Sequence, residues 1–359
     1  MNKINTMEPV TDQSLSLSPL FWQLVGVMAL AVRLVSGWTY WGGASRRLIY
    51  DLAKLDPTSP AYLANKLVHA APGMAFDLSG VMHWLLAHPM LLHIAIVFFT
   101  LVELVVGVGL IVGFATRFMS FIGLGLSVTL MIIFGWMGTT CLDEWTMAAC
   151  GFAMSAVVLV TGGGKCAVDQ LLLPMIERSG ARWLVWLTSG PLPLTTRQVM
   201  KFASTMAVIS IVFAVGFYGY NYGALITPLG HRVDNAHPTV TLSNVTLMDH
   251  HLQVATYIKT GPDTQGAYVT KVSLIQQEQT LISYQAADLK DPAKVTLKNQ
   301  FAPWSTCKAM AYAVRCQLGS KANWSLTLPA DLTMDDHKPL TVEFTDVEGK
   351  NYTALVELH

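Results

Sequence analysis

Apolar residues in this chain run in long unbroken stretches through the first two thirds and then give way to short alternating segments. Five stretches, 20–41, 85–114, 118–138, 145–161 and 202–222, each hold at most one ionised side chain apart from charges at their edges. A hydrocarbon layer of roughly 30 Å needs about 20 helical residues, so each is expected to span a membrane, the fourth as a short helix. Beyond residue 225 the pattern changes period. Segments 239–247, 252–260, 267–275, 294–301, 324–328 and 340–344 alternate apolar and polar positions between Gly, Pro and Asp, which predicts strands and a small β-sandwich.

Composition agrees with this reading. Hydrophobic residues make up 52%, charged residues only 13%, and the mean hydropathy is +0.44, values that belong to a membrane protein. Lys and Arg (23) balance Asp and Glu (23), so no basic excess points to nucleic acid as a partner. Basic residues near span ends predict the orientation. Lys3, Arg117, Lys165, Arg178, Arg182, Arg197 and Lys201 fall on one side, while Arg46, Arg47, Lys54 and Lys66 are diluted over a loop of some forty residues on the other. The first side is therefore expected to be cytoplasmic. The first apolar run follows a polar leader without a basic region or a small-residue cleavage site, so it is read as an uncleaved span.

The expected organisation is a cytoplasmic leader (1–19), a four-span membrane domain (20–165) and a cytoplasmic linker with an interfacial helix (166–201). A fifth span (202–224) and an extracytoplasmic β domain (225–359) complete it. Trp38, Tyr40 and Trp41 at one span end, and Tyr218, Tyr220 and Tyr222 at another, suit the membrane interface. The lipid bilayer is thus one expected partner; a homo-oligomer is allowed but not specified.

An ionisable side chain within a span is costly and marks a functional candidate. There are two, Arg33 and Glu103. They are read either as a structural ion pair between two helices or as parts of a site. Arg46 and Arg47, at the Gly-rich end of the first span, carry adjacent guanidiniums whose fork geometry suits a small oxyanion; lipid headgroups are the plainer ligand. The turn Gly138-Thr139-Thr140-Cys141-Leu142-Asp143-Glu144-Trp145 combines a capping pattern, Thr140 with Asp143, and a thiol near a helix start. Cys141 is a candidate nucleophile. Cys150, nine residues on, lies too far along the expected helix for a disulfide with it, and Cys166 is expected reduced.

His88 and His93 are candidates for proton transfer or quinone hydrogen bonding, with interfacial packing as the plainer role. His83, His88 and His93 recur every five residues, which does not place metal ligands on one helix face, so no metal site is expected. Without a C-x-x-C-H, G-x-G-x-x-G or cysteine-cluster pattern, no haem, flavin or iron–sulfur group is expected. Cys307 and Cys316, nine apart in an exported β domain, read as a loop-stapling disulfide.

Two motifs resemble a known family. Arg33-x3-Gly37-Trp38-x-Tyr40-x-Gly42-Gly43-x2-Arg46-Arg47 and Glu103-x3-Gly107-x-Gly109-x3-Gly113-x2-Thr116-Arg117, with Asp143-Glu144-Trp145 in the later turn, are similar to the DoxD/DoxX membrane family. A fifth span followed by an external β domain resembles the partner subunit DoxA. The whole chain therefore resembles a fused DoxD–DoxA thiosulfate:quinone oxidoreductase of the prokaryotic cytoplasmic membrane.

That resemblance implies oxidation of thiosulfate to tetrathionate with a diffusible membrane quinone as electron acceptor. It implies Arg46, Arg47 and Arg33 as thiosulfate ligands, and Cys141, Asp143, Glu144 and Glu103 as catalytic candidates. Trp38, Tyr40, His88, His93 and Trp145 are then the quinone candidates. The alternatives are a quinone-linked protein-thiol oxidase, or a non-catalytic membrane scaffold that recruits a periplasmic oxidoreductase.

Overall fold

The computed structural model describes residues 18–134, 142–222, 237–248, 250–261, 266–335 and 338–358. The chain forms two compact units, each assembled from separated segments. One comprises Met1–Ala44, Val102–Ser127 and Cys150–Ala214; the other comprises Ser45–Leu101, Val128–Ala149 and Val215–His359.

The helices come first. They are α1 (Pro19–Met28), α2 (Leu30–Ser45), α3 (Ala64–Ala70), α4 (Ser79–Leu86), α5 (Pro89–Val112) and α6 (Thr116–Ile133), followed by α7 (Leu142–Thr161), α8 (Asp169–Arg178), α9 (Arg182–Leu187) and α10 (Thr196–Tyr222). Ser18 starts α1 by accepting from the Phe21 amide, with Pro19 at the first helical position, where its missing N–H costs nothing. Helices α5 and α6, and Thr196–Gly216 of α10, are long and apolar enough to cross a membrane. The first apolar run is not one straight span: α1 and α2 meet at a 57° bend, and together they count as a fourth. The fourth run gives only the shorter apolar helix Trp145–Thr161 within α7. Each of the five runs is largely helical over its described residues, and the chain is a membrane protein.

The bundle helices approach closely through glycine. A Cβ on Gly26 would lie 2.2 Å from the Gly164 nitrogen, and one on Gly107 would lie 2.5 Å from the Trp41 nitrogen. Without a hydrophobic drive between helices in lipid, such close backbone contact is what holds them together. Helix α10 differs, since Met200, Val208, Ile211 and Val212 on it are exposed and suit lipid as solvent.

Eleven strands and one short helix follow: β1 (Thr239–Met248), β2 (His251–Thr260), β3 (Ala267–Gln276), β4 (Gln279–Gln285), α11 (Ala286–Lys290), β5 (Val295–Asn299), β6 (Cys307–Ala309), β7 (Val314–Cys316), β8 (Lys321–Thr327), β9 (Leu340–Asp346), β10 (Asn351–Leu355) and β11 (Glu357–Leu358). They build two sheets, β11-β1-β2-β8-β5 and β10-β9-β3-β7-β6, with β4 also paired to β3. Alternate positions of β2, β8 and β9 point into one core, where Trp324 meets Phe344 edge to face at 5.0 Å. The Trp324 indole N–H donates to Thr256 Oγ1 at 2.9 Å, so this large buried ring leaves no orphan donor.

The six predicted segments all contain strands. β4, β6, β7, β10 and β11 escaped prediction because they are short or, like β4, bury only one side chain. Cys307 and Cys316 are directly paired across β6 and β7 and form a disulfide.

The segment between α2 and α5 is more than a loop. Tyr62, Leu67, Val68, Met74, Met82 and Leu86 pack with Phe301 into a second core, which Trp304 borders. This segment docks on the β domain: Gly319 sits so close to the Val68 carbonyl that a Cβ there would lie 2.0 Å from the oxygen.

Candidate functional site

Helices α2 and α5 run antiparallel, and their contacts fix which motif residues can meet. Gly113 packs by the Arg33 guanidinium, Gly37 by Gly107 and Ile111, and Gly43 by Glu103. Arg33 and Glu103 therefore lie at opposite ends of this pair, separated by about ten residues of helix, or roughly 15 Å. The expected Arg33–Glu103 ion pair is corrected on this ground.

Arg33 instead donates from Nη1 to the Gly163 carbonyl at 2.8 Å and from Nη2 to the Cys166 carbonyl at 2.9 Å. Its neighbours form a buried polar knot. Asp169 accepts from the amides of Ala115 (2.6 Å) and Thr116 (3.0 Å), from the Thr116 hydroxyl (2.7 Å) and from Ser189 Oγ (2.6 Å). It thereby caps α6 from a distance, its carboxylate at the positive end of the helix. Arg117 donates to the carbonyls of Gly190 (2.7 Å) and Thr188 (3.1 Å) and lies over the Trp22 ring at 5.3 Å. The strand of glycines after α7 completes the knot: Gly162 and Gly164 take positive φ, and the Gly163 amide donates to Ser189 Oγ at 2.8 Å.

Most of the second sequence motif is thereby accounted for as architecture. Gly107 admits Trp41, Gly113 takes φ +74 beside Arg33, and Thr116 and Arg117 tie α6 to the segment after α7. Glu103 is the exception. It is buried among the bundle helices, 5% exposed, with Gly43 leaving room against its carboxylate.

Tyr40 is buried, and its hydroxyl reaches the Gly123 carbonyl (2.8 Å), Ser127 Oγ (3.0 Å) and Ser155 Oγ (3.4 Å). That hydroxyl is fully engaged and serves the α2–α6–α7 packing, so it has no hydrogen left for a quinone carbonyl. Trp38, two residues earlier, is 66% exposed. Arg46 and Arg47 open a π-helical turn, Arg46–Tyr50, that the sequence reading missed; such turns are rare and concentrate at functional places. Arg46 is exposed, and Arg47 Nη1 donates to Thr100 Oγ1 at 3.2 Å.

His88 pairs its Nδ1 with the Trp84 carbonyl at 2.7 Å, and His93 Nδ1 meets the Tyr62 hydroxyl at 3.2 Å beneath a stacked ring contact. Trp145 is buried in α7. Cys141 lies outside the described residues. Asp143 and Glu144 fall in the first turn of α7, with their side chains outside the description. Cys150 and Cys166 are free and exposed. Among the described residues no group of His, Cys, Asp and Glu could hold a metal.

Comparison with known families bears on both halves. Residues 28–195 match the family described as TQO small subunit DoxD, and residues 221–355 match TQO small subunit DoxA. The chain belongs to the DoxD and DoxA families, fused in one polypeptide. Helices α2 and α5 to α7 and, apart from Trp22, the polar knot fall within the DoxD region, strands β1 to β10 fall within the DoxA region, and α1, but for its last residue Met28, and β11 lie just outside the two matches. Both families are subunits of thiosulfate:quinone oxidoreductase, which supports an oxidoreductase role for the chain. The π-helical arginines and Glu103 also belong to the DoxD region.

Proposed function

We propose that this fused DoxD–DoxA chain oxidises thiosulfate at the periplasmic face of a prokaryotic cytoplasmic membrane and passes the electrons to a membrane quinone. The observation that carries the reading is the presence of both oxidoreductase subunit families in one polypeptide. Two thiosulfate ions each give up one electron and join through a new S–S bond as tetrathionate. The quinone accepts those two electrons with two protons and leaves as quinol.

In this reading the N-terminus is cytoplasmic and the β domain periplasmic. The Cys307–Cys316 disulfide supports that side for the domain, since such bonds persist in oxidising compartments. Arg46 and Arg47 hold thiosulfate by charge-assisted hydrogen bonds. Arg33 is withdrawn from that role, because its guanidinium serves the polar knot. Glu103 is the first candidate to deliver protons to reduced quinone, with Asp143 and Glu144 as further carboxylates. His88, His93, Trp38 and Trp145 remain quinone candidates by position, and Cys141 is the candidate thiol if coupling is covalent.

The test is anaerobic reduction of a short-chain quinone by the detergent-solubilised protein, with and without thiosulfate, for wild type and for Arg46→Ala, Glu103→Gln and Cys141→Ala. Thiosulfate-dependent reduction lost in Arg46→Ala supports the reading. Reduction driven by protein dithiols without thiosulfate would favour a thiol oxidase, and none by folded wild type would favour a scaffold.

A further inference from the structure

His88 and His93 stand at the start of α5, and each commits one ring nitrogen to a hydrogen bond. The two bonds set opposite tautomers. A carbonyl oxygen can only accept, so His88 Nδ1 donates to Trp84 at 2.7 Å, and in the neutral ring its Nε2 presents a lone pair. At His93 the partner is a hydroxyl. Tyr62 is 1% exposed, and among the described residues His93 Nδ1, at 3.2 Å, is the one partner of its oxygen. A buried hydroxyl hydrogen needs an acceptor, so it points at Nδ1, and the ring proton of His93 sits on Nε2. Burial pushes the Tyr62 pKa up, which keeps that hydroxyl hydrogen in place.

Tyr62 is itself held by two rings. Trp304 lies against it at 5.7 Å and His93 stacks on it at 6.1 Å, so the hydroxyl has little freedom to swing away. His93 is the fifth residue of α5, about 6 Å along the helix from its start. Leu92, Ile96 and Thr100 on this span are buried, Met90, Ile94 and Phe98 are exposed, and the half-buried His93 lies at the border of the two faces. Its Nε2 is not shut away from the surroundings and has no protein partner among the described residues. An N–H at the lipid side of a span finds few acceptors, and an apolar molecule that carries a carbonyl supplies one.

We propose that His93 donates from Nε2 to a carbonyl oxygen of the membrane quinone, with Tyr62 as the positioning residue that keeps the proton on that nitrogen. A lipid ester carbonyl shares the acceptor chemistry; the choice of quinone rests on the proposed function. His88 cannot serve in the same way, because its neutral ring has no proton on Nε2 to give. Tyr62 and His93 lie in the DoxD region and Trp304 in the DoxA region, so the β domain helps to set this contact.

The experiment combines histidine-selective nitrogen NMR of the full-length protein in phospholipid nanodiscs with quinone reduction kinetics. The His93 signals are those lost in His93→Leu, or in His93→Gln if the leucine variant does not fold. Wild type is expected to show a protonated Nε2 and a bare Nδ1, and Tyr62→Phe a mixture of the two tautomers. A proton on Nδ1 in wild type would overturn the assignment. Added decyl-ubiquinone is expected to shift the Nε2–H signal. A signal that moves when phospholipid is replaced by an ester-free detergent, and ignores the quinone, identifies a lipid carbonyl and overturns the proposal.

In thiosulfate-driven reduction, His93→Leu and Tyr62→Phe are expected to raise the KM for quinone about three- to tenfold, as loss of one hydrogen bond does, and to leave the KM for thiosulfate unchanged. His93→Gln is expected to recover part of the loss, because its amide N–H can stand near the place of the ring Nε2–H. A merely structural Tyr62 would lower the melting temperature without this split. An unchanged KM for quinone in folded His93→Leu, with a wild type that reduces quinone, overturns the contact and leaves the proposed function standing. A quinone-shifted Nε2–H signal in a wild type that reduces no quinone does the reverse.

Discussion

Arg33 and Gly163 are 130 residues apart in sequence and joined by a 2.8 Å hydrogen bond from guanidinium to carbonyl. A second bond runs to the Cys166 carbonyl, so one side chain closes the end of α2 onto the turn after α7. Arg33→Met keeps the length of the side chain and leaves both carbonyls without this donor. Each unsatisfied buried acceptor costs about 1–3 kcal/mol. The variant is expected to melt measurably lower in detergent by tryptophan fluorescence, with Arg33→Lys intermediate because an ammonium lacks the fork. A wild-type melting temperature for Arg33→Met would remove the structural role.

Asp169 supplies the opposite charge in the same knot and accepts four hydrogen bonds. In Asp169→Asn the NH2 group is best placed at the Oδ1 position, where it faces the Ala115 amide, so one of the four contacts turns from attraction to repulsion and the three at Oδ2 lose their charge. Bonds to a charged group are worth about 1.5–3 kcal/mol each, and the loss is expected to reach about 3 kcal/mol. Thermal unfolding checks this, and limited proteolysis should show earlier cleavage in 162–190, the segment that the knot holds.

How much of this was legible in the sequence follows from the range of the interactions. The spans and six strand segments show as local periodicity, and the Cys307–Cys316 disulfide as a short spacing. The partners of Arg33 do not, because backbone carbonyls carry no sequence signature. The same holds for the residues around Asp169, which the polar pattern of a linker conceals. Glu103 stood out because a carboxylate in an apolar run is rare, but its neighbour Gly43 and the π-helical turn at Arg46 emerge only from the packing. The loop covering β2 was invisible for a different reason: its core residues are spread through short helices, each too short to show a period.

Two glycines in the bundle are expected to respond oppositely to alanine. On Gly107 a Cβ would lie 2.5 Å from the Trp41 nitrogen and 3.0 Å from the Gly37 carbonyl, backbone atoms that cannot turn aside. Gly107→Ala must push α2 and α5 apart, and small-residue contacts are the main adhesive between helices in lipid. On Gly125 in α6 a Cβ would meet nothing within 4 Å. Gly125→Ala is expected to stabilise by about 0.5–1 kcal/mol, the usual helix advantage of alanine. Melting temperatures of the two variants, measured side by side, should move in opposite directions. Equal shifts would contradict the close approach.

Protonation of His83 provides a prediction in pH. Burial first, and the ammonium of Lys321 second, push its pKa from 6.5 down to about 4. Between those values the unfolded chain binds a proton that the folded chain refuses. Stability therefore rises with pH through the window, is fully present above about 6.5 and is lost as pH falls toward 4. Lys321 and Tyr257 are the groups facing the ring, and neither changes charge in this range. His83→Gln is expected to flatten the dependence of melting temperature on pH between 4 and 6.5 relative to wild type. Lys321→Met removes only the smaller cause, so it should shrink the slope without abolishing it. If His83→Gln keeps the wild-type slope, the titrating group lies elsewhere and His83 is not the buried neutral base that the Lys321 contact requires.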